Sequence, residues 1–328
     1  MARALITGGT GFIGSHLART LVAAGHSVRI LRRASSRLDL IEDLSLDHAL
    51  GDVLDEDSLR RAMEGCQWVF HSAAVADYWR SPRVTMYLVN VEGTRLVFKT
   101  AKAAGVERVV VTSSAAAVGL RADGTPADES DPFNLPVARF PYGHSKAISE
   151  GDAQRAVAEG LPVVLVNPTV VFGPGDLNLI SGSMVAEFAR GVIPPFYPPG
   201  AITAIDVRDV ARAHLAAAER GTPGERYILG TEDITYKALF ALIAEIVGKR
   251  PPMLPLPRVV APLLSRGVNA LKALGAAFPI DGNQVWLSAQ NVCFNSAKAR
   301  QVLGTPQITL RQSLTDTYAW YKEKGMVP

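Results

Sequence analysis

A glycine-rich turn between a strand pattern and a helix pattern is the feature that most constrains the fold of this chain. The run Arg3 to Thr7 is typical of a short buried strand, and the spacing of apolar residues from Gly14 to Ala24 predicts a helix. The turn between them reads Gly8-Gly-Thr10-Gly11-Phe12-Ile13-Gly14. Gly8 permits a tight turn, Gly11 lets the backbone approach a pyrophosphate, and Gly14 lets the helix lie close to the strand. Because the free amides of a helix N-terminus bind phosphate, this turn predicts a dinucleotide site.

Strand and helix patterns alternate through the first half of the chain. We predict strands at Arg3 to Thr7, Ser27 to Leu31, Trp68 to Ser72, Arg108 to Ser113 and Pro162 to Asn167, and helices at Gly14 to Ala24, Glu56 to Glu64 and Pro82 to Ala104. This order is typical of a parallel sheet covered by helices on both faces, an α/β fold. Proline-rich loops follow after Pro168. They predict a dinucleotide-binding domain over residues 1–170, rejoined by some later segments, and a smaller lobe over 171–328.

Composition excludes several classes of protein. The chain has 328 residues, of which 48% are apolar, and its formal charge of +3 is too small to favour nucleic acid as a partner. Its two cysteines, Cys66 and Cys293, are too few for a disulfide framework and too far apart for a zinc pattern, so we expect no metal and a reducing cytoplasm. The first strand begins at once, so we expect no signal peptide. The apolar run from Val259 to Leu264 contains Pro262 and is too short to span a membrane.

The end of the second strand predicts which dinucleotide binds. A site that prefers NAD usually has an acidic residue there, but this chain has Arg32 and Arg33. Arginine can grip a 2′-phosphate bidentately, so we expect NADP, with NAD as the alternative. Arg37 is equally compatible with contact and with a solvated loop position. Asp52, followed by Val53, is placed to hydrogen-bond the adenine amine, although it could be a solvated turn aspartate.

Tyr142 and Lys146 are four residues apart in a helical segment, so their side chains lie on one face and can act on one bound molecule. A free tyrosine has a pKa of about 10 and is a poor proton donor or acceptor at neutral pH. An ammonium about 4 Å away could lower that pKa by up to roughly three units. The pair therefore predicts a proton-transfer site, with Tyr142 exchanging a proton near neutral pH.

The chain resembles the extended branch of the short-chain dehydrogenase/reductase superfamily over nearly its whole length. The motifs that carry the resemblance are the glycine turn, His71-Ser-Ala73-Ala74, Asn90-Val-Glu-Gly-Thr94, Val111-Thr-Ser-Ser114, Tyr142-x-x-x-Lys146 and Asn167-Pro168. The pattern is most similar to dihydroflavonol-4-reductase-like reductases and to proteins labelled hopanoid-associated sugar epimerases. The resemblance implies a Rossmann fold, a doubly wound parallel sheet, with a smaller C-terminal substrate-binding lobe.

The resemblance also implies roles for individual residues. Tyr142 is expected to be the general acid or base, and Lys146 to bind the nicotinamide ribose and lower the pKa of the tyrosine. Ser114 is expected to orient the substrate oxygen, with Ser113 and Thr112 as rivals for this role. The resemblance makes Asn90 a helix-kinking residue that can hold a water behind the lysine. The residues expected to line the cofactor trough are Ala73, Ala74, Val75, Pro168 and Val171.

Three positions bear on the chemistry. Sugar-nucleotide dehydratases have an Asp-Glu pair after the active hydroxyl, where this chain has Ala115 and Ala116, so elimination lacks its catalysts. Epimerases commonly have an asparagine at the position of Val170, which contacts the sugar nucleotide. We therefore expect an NADP-linked oxidoreductase that reduces a ketone or aldehyde, or runs in reverse. An NAD-dependent nucleotide-sugar epimerase is the alternative, and a noncatalytic dinucleotide sensor is a third possibility.

The sequence says less about the substrate and the assembly. Trp79 and Phe196 could cover an apolar carbonyl or alcohol substrate, and each could equally be a packing residue. The superfamily commonly forms homodimers through a four-helix interface. In this chain the segments 82–104 and 141–160 would supply those helices.

Overall fold

In a computed structural model of the chain, residues 1–76, 81–273 and 282–328 are described. The strands are β1 (Arg3–Thr7), β2 (Ser27–Arg32), β3 (Asp47–Leu50), β4 (Trp68–His71), β5 (Arg108–Thr112), β6 (Val163–Pro168), β7 (Val170–Phe172), β8 (Phe196–Tyr197), β9 (Ala201–Asp206), β10 (Arg226–Leu229), β11 (Glu232–Thr235), β12 (Leu254–Pro255) and β13 (Asn291–Val292). The α-helices are α1 (Phe12–Ala23), α2 (Glu56–Met63), α3 (Arg83–Tyr87), α4 (Thr94–Ala103), α5 (Pro141–Ala158), α6 (Ser183–Ala189), α7 (Val207–Arg220), α8 (Tyr236–Val247), α9 (Ala261–Ala273), α10 (Gly282–Ser288), α11 (Ala297–Leu303) and α12 (Leu310–Glu323).

Seven strands form one parallel sheet in the order β10-β6-β5-β4-β1-β2-β3. The strand order reverses between β1 and β4, and in doubly wound sheets the carboxyl ends of the strands at this switch point frame the ligand site. The predicted α/β fold is therefore confirmed. Each of the five strands predicted from the sequence is present, with ends that differ by at most one residue.

Alternate side chains of the central strands pack into two separate apolar cores. On β5, Val110 packs on one face with Leu17 of α1 and Val210 of α7. Val109 and Val111 face the other core, which contains side chains of α2 and α4. Because helices cover both faces, the strand is apolar on both sides, which explains the unbroken valine run.

The long helix predicted between Pro82 and Ala104 is interrupted in its middle. A π-helical segment, Leu88–Gly93, separates α3 from α4 and contains Asn90. The Asn90 carbonyl accepts hydrogen bonds from the hydroxyls of Thr94 and Ser149, both at 2.6 Å. A wide turn of this kind is frequent at functional sites, and here it brings the buried Asn90 side chain towards α5.

The segment after residue 170 contributes to both parts of the molecule. β10 extends the main sheet, and α7 packs against α1 across one of its faces. The strands β7, β9, β11 and β13 form a separate small sheet. A third core, which includes Phe172, Phe188, Leu239 and Tyr321, lies beneath this sheet and its helices. The division of the chain at residue 170 stays a prediction.

The described residues contain neither a membrane-spanning helix nor a metal-binding cluster. Within ranges 1–76, 81–273 and 282–328, every helix is too short or too polar to cross a lipid bilayer. In the same ranges, no group of three or more His, Cys, Asp or Glu side chains could hold a metal ion. Cys66 and Cys293 are both free and buried.

Candidate active site

The glycine turn forms a cradle that side chains would fill. Gly8 has a φ of +75°, which favours glycine, and a Cβ there would lie 2.7 Å from the backbone nitrogen of Ala73. A Cβ on Gly14 would lie 2.1 Å from the carbonyl oxygen of Gly8. Gly11 caps α1 without a side-chain hydrogen bond, so the amides of the first turn remain open to a ligand. Thr10, Phe12 and Ile13 are half-buried at the rim of this cradle. The turn therefore fits the pyrophosphate of a dinucleotide.

The basic residues after β2 differ in their partners. The Arg32 guanidinium donates to His48 Nδ1 at 2.9 Å, and the exposed Arg33 side chain has no ion-pair partner among the described residues. Arg37, in contrast, forms an ion pair with Asp39 at 3.0 Å. This pair lowers the pKa of the Asp39 carboxyl, chiefly through the hydrogen bond from Arg37. Arg32 and Arg33 are thus the cations without a carboxylate partner at the end of β2.

The segment after β4 lies beside the glycine turn, whereas Asp52 follows β3, two strands away from β1 in the sheet. The Asp52 carboxylate accepts a hydrogen bond from the backbone N–H of Leu54 at 3.0 Å, so it closes its own turn, and Val53 is buried next to it. Its contact with an adenine stays a prediction. The Ala73 amide lies 3.4 Å from the Thr7 hydroxyl, its hydrogen-bond acceptor, and Ala74 is exposed.

The Asn90 side chain links the segment after β4 to helix α5 through hydrogen bonds. Its Oδ1 accepts from the Val75 amide at 2.8 Å, and its Nδ2 donates to the Val75 carbonyl and to the Ser145 hydroxyl, each at 3.1 Å. These contacts make Asn90 a positioning residue for the wall of the predicted cofactor trough. Its proposed role in holding a water stays a prediction. Pro168, the last residue of β6, and Val171, the middle residue of β7, are predicted from the sequence to line the same trough, and both are buried.

Tyr142 and Ser114 meet at an apolar cavity of about 190 Å³. Their hydroxyls are hydrogen-bonded to each other, and the Ser114 oxygen also accepts from the Ala116 amide at 3.1 Å. The other lining residues come from both halves of the chain and carry no charge: Ala115, Ala116, Val118, Leu120, Leu135, Phe140, Gly143, Pro168, Thr169, Val170, Thr203, Leu287, Val292 and Phe294. The cavity can therefore hold an apolar molecule with one oxygen at the two hydroxyls.

The hydroxyls of Thr112 and Ser113, the alternatives to Ser114 for orienting the substrate oxygen, are hydrogen-bonded to other side chains. Thr112 shares a hydrogen bond of 2.7 Å with His214, and the Ser113 hydroxyl donates to Glu150 at 2.5 Å. Both residues are buried, and neither lines the cavity. Of the three candidates, the structure places Ser114 beside Tyr142.

The expected effect of Lys146 on Tyr142 is not seen in the structure. The buried Lys146 ammonium donates to the Thr112 carbonyl at 2.9 Å, and burial lowers the pKa of this lysine to about 8, opposed by the Glu150 carboxylate. Burial raises the pKa of Tyr142, and only the hydrogen bond from Ser114 opposes this effect. The sequence-based expectation of a lowered pKa is therefore wrong, because desolvation of the phenolate outweighs the hydrogen bond from Ser114 and Lys146 does not oppose it.

Two buried histidines behind the site are neutral. His71 bridges the hydroxyls of Thr7 and Thr94, at 2.7 and 2.9 Å, and burial lowers its pKa to about 3. Burial lowers the pKa of His214 to about 4. Neither ring lines the cavity, so both serve to hold strand ends in place.

A buried carboxylate, Glu150, connects the elements that carry the site. It accepts from Ser113, from Asn167 Nδ2 at 2.5 Å and from Arg226 at 2.7 Å. The Asn167 amide also donates to the Ser114 carbonyl at 3.0 Å. Sequence reasoning missed Glu150 and Arg226. The available signal was that Glu150 follows Lys146 by four residues, on the helix face that also carries Tyr142.

Two aromatic side chains, Trp79 and Phe196, are predicted from the sequence to contact the substrate. Trp79 lies outside the described residues. Phe196 is 43% exposed in β8 and does not line the cavity, where Phe140 and Phe294 are the aromatic walls. Its expected contact with substrate has no support in this cavity.

We expect Gly14→Ala to weaken NADPH or NADH binding at least about tenfold, because its Cβ would collide with the Gly8 carbonyl and open the turn. Gly151→Ala is the matched control, since this glycine lies in α5 with nothing within 4 Å of its Cβ position. Fluorescence titration with each cofactor measures both variants. Equal affinities for the two variants would contradict the role assigned to the turn.

Comparison with known proteins agrees with this geometry. Residues 4–230 match the model of the NAD dependent epimerase/dehydratase family. A putative dihydroflavonol 4-reductase from Synechocystis sp. is 40% identical, with 98% of this chain and 95% of the relative covered. Sterol demethylase protein B from Methylococcus capsulatus is 33% identical, covering 98% and 99% of the two chains. The crystal structure of a nucleoside-diphosphate-sugar epimerase from Pseudomonas aeruginosa superimposes with a TM-score of 0.83, at 27% identity and 100% and 99% coverage. The chain therefore belongs to the NAD-dependent epimerase/dehydratase family, the extended short-chain dehydrogenases/reductases, and is an NAD(P)-dependent enzyme.

Proposed function

We propose that the protein is an NADP(H)-dependent reductase of an apolar ketone or aldehyde, or the corresponding alcohol dehydrogenase. The observation that carries this proposal is the uncharged cavity that ends at the hydroxyls of Ser114 and Tyr142. Two relatives have names that refer to a dihydroflavonol and to a sterol, and an apolar cavity suits the body of such molecules. Val170, which stands where epimerases commonly have asparagine, lines this cavity and offers no polar contact.

The proposed mechanism assigns each side chain one task. The bound nicotinamide supplies or accepts the hydride. Ser114 donates a hydrogen bond to the substrate oxygen and holds it beside the Tyr142 hydroxyl, which gives up its proton as the oxygen becomes negative. Burial disfavours the resulting tyrosinate. The Lys146 ammonium, fixed on the Thr112 carbonyl, would hold the nicotinamide ribose by a hydrogen bond, as the resemblance implies. The apolar walls exclude water, which strengthens each of these electrostatic contacts.

The main test is a spectrophotometric screen of purified protein with NADPH against aromatic and alicyclic ketones and aldehydes. We expect NADPH oxidation with wild type and a loss of about a hundredfold to ten-thousandfold for Tyr142→Phe. The variant should keep its affinity for NADPH, because it lacks only one oxygen. A noncatalytic sensor would instead show no turnover and no difference between the two proteins.

An NAD-dependent nucleotide-sugar epimerase is the second candidate, favoured by the similarity to the Pseudomonas aeruginosa structure. Such an enzyme would interconvert UDP-glucose and UDP-galactose without net oxidation of cofactor. If the purified protein did this with NAD and ignored NADPH, the reductase proposal would be abandoned.

The preference for NADP is proposed from Arg32 and Arg33, which have no carboxylate partners among the described residues. Loss of a charge-assisted hydrogen bond costs about 1.5–3 kcal/mol, so Arg33→Ala should raise the KM for NADPH by about 10–100-fold and leave that for NADH unchanged. Arg37→Ala is the control, because Arg37 is already paired with Asp39. Steady-state kinetics with both cofactors distinguishes these outcomes. A loss shared equally by NADPH and NADH would mean that Arg33 does not contact the 2′-phosphate.

The pH profile of the reaction tests the role of Lys146. Burial lowers its pKa to about 8, so kcat/KM for reduction should fall as the pH rises through that region and the ammonium loses its proton. Glu150 opposes the effect of burial, so Glu150→Gln should move this fall to lower pH. Glu129→Gln is the control, because Glu129 accepts from the Ile228 amide and is not among the groups that shift Lys146. A Glu150→Gln profile that is lower in rate but unshifted in pH would assign Glu150 a purely structural role.

We also propose the homodimer that the resemblance implies, through α3, α4 and α5. Val84 and Leu88, on this side of the molecule, are 71% and 45% exposed. Apolar side chains with this exposure suit a helix-packing interface.

A further inference from the structure

A second apolar surface lies on the segment from β12 through α9. Its exposed side chains, here called the apolar patch, are Met253, Leu254, Val259, Val260, Leu263, Leu264 and Leu271. Met253 and Val259 are each 81% exposed and Leu263 is 66% exposed. Phe196, itself exposed, is paired with Leu254 and extends the patch. Single exposed leucines are ordinary, but a continuous series of this kind indicates a binding surface.

The leucines of α9 point away from the protein because another stripe of the helix is already packed. Ala261, Ser265 and Val268 are buried, and they recur at the spacing of one helix face. Leu256, just before the helix, packs with Ala261 and Ala289 and fixes the start of α9 to the lobe. The outer face therefore presents its leucines to the surroundings.

The exposed charged side chains of the segment that carries the patch have one sign. Lys249, Arg250, Arg258 and Arg266 are exposed, and none has an ion-pair partner among the described residues. The sequence has no Asp or Glu between Glu245 and Asp281. Four unpaired cations are notable in a chain whose formal charge is only +3. Cations beside exposed leucines suit an anionic lipid surface, where apolar side chains enter the headgroup boundary and cations contact phosphates.

We propose that the apolar patch and its cations dock the protein on the surface of an anionic phospholipid bilayer. A second copy of the chain fits this face less well, because a two-fold interface would set the same unpaired cations against each other. The docking is peripheral and does not depend on the proposed reductase activity, and only its consequence for substrate access rests on that activity.

The apolar patch lies next to a cavity that adjoins the candidate active site, so docking on a bilayer would affect how substrate reaches the site. Arg258, Ala261 and Pro262 line a second cavity, of about 230 Å³, together with apolar residues such as Trp286 and Leu120 and with the polar side chains of Arg121, Asp123, Gln290 and Asn291. Leu120 also lines the cavity that ends at Tyr142. Docking would thus place the outer cavity next to the lipid, and an apolar substrate dissolved there would have a short path to the site.

The experiment is co-sedimentation of the full chain with vesicles. One set contains phosphatidylglycerol and phosphatidylcholine in equal amounts, and the other contains phosphatidylcholine alone. Each cation near an anionic surface contributes about 1 kcal/mol, so we expect binding to the anionic vesicles to be at least about tenfold tighter and to weaken with added salt. Absence of binding to the anionic vesicles would overturn the proposal.

Two pairs of variants separate the apolar and charged contributions. Leu263→Ser/Leu264→Ser should weaken binding about tenfold, and Leu50→Ser, at an exposed residue of β3, should leave it unchanged. Lys249→Glu/Arg250→Glu should abolish the preference for anionic lipid, whereas Arg61→Glu/Lys324→Glu, with the same change in net charge, should retain most of it. Equal effects of the two charge pairs would mean attraction by net charge alone and would overturn the assignment of the patch.

Two further measurements keep the result interpretable. Circular dichroism and thermal unfolding of each variant identify any that fail to fold, and these are replaced by Leu271→Ser. Sedimentation velocity without vesicles tests a second copy as the occupant. If wild type self-associates and Leu263→Ser/Leu264→Ser makes it monomeric, the patch is an interface between copies and the lipid proposal is wrong.

Discussion

The buried carboxylate of Glu150 is the contact on which the arrangement of the active site depends. It joins α5 to the ends of β5 and β6 through Ser113 and Asn167, and to β10 through Arg226. Both charged side chains of the ion pair are largely buried, at 8% and 18% exposure. A pair of this kind contributes little net stability when intact, but removing one partner leaves an uncompensated charge at a cost of about 3–5 kcal/mol. Its effect is to fix one mutual position of the three strand ends and the helix.

The Glu150 carboxylate also affects the protonation of Lys146 in the candidate active site. Tyr142, Lys146 and Glu150 lie on consecutive turns of α5, so the helix carries the proposed proton donor, a cation and the counter-charge of that cation in a row. Burial lowers the pKa of Lys146, and the Glu150 carboxylate opposes this shift. Since Lys146 contacts the Thr112 carbonyl, the ammonium is also tied to the strand that leads to Ser114. Position and protonation of the site are thus set by one network.

The parts of this architecture that could be predicted from sequence are those encoded within a few residues. The turn from Gly8 to Gly14 and the five strands have local patterns, and the structure contains all of them. The ion pair between Glu150 and Arg226 connects residues that are 76 positions apart in the sequence, and a local sequence pattern cannot predict such a contact. The raised pKa of Tyr142 was missed for a related reason, because burial depends on the whole fold and the spacing to Lys146 does not reveal it.

The cavity is built from two parts of the chain that carry different information. Ser114, Tyr142 and the apolar residues near them lie within the range 4–230 matched by the family model. Leu287, Val292 and Phe294, which form the opposite wall, lie beyond that range. The region matched by the family model therefore supplies the two hydroxyls and most of the cavity wall, and three residues beyond that region complete the wall. The apolar patch lies in the same later region, so the C-terminal part of the chain contributes both to the wall of the cavity and to the proposed docking surface.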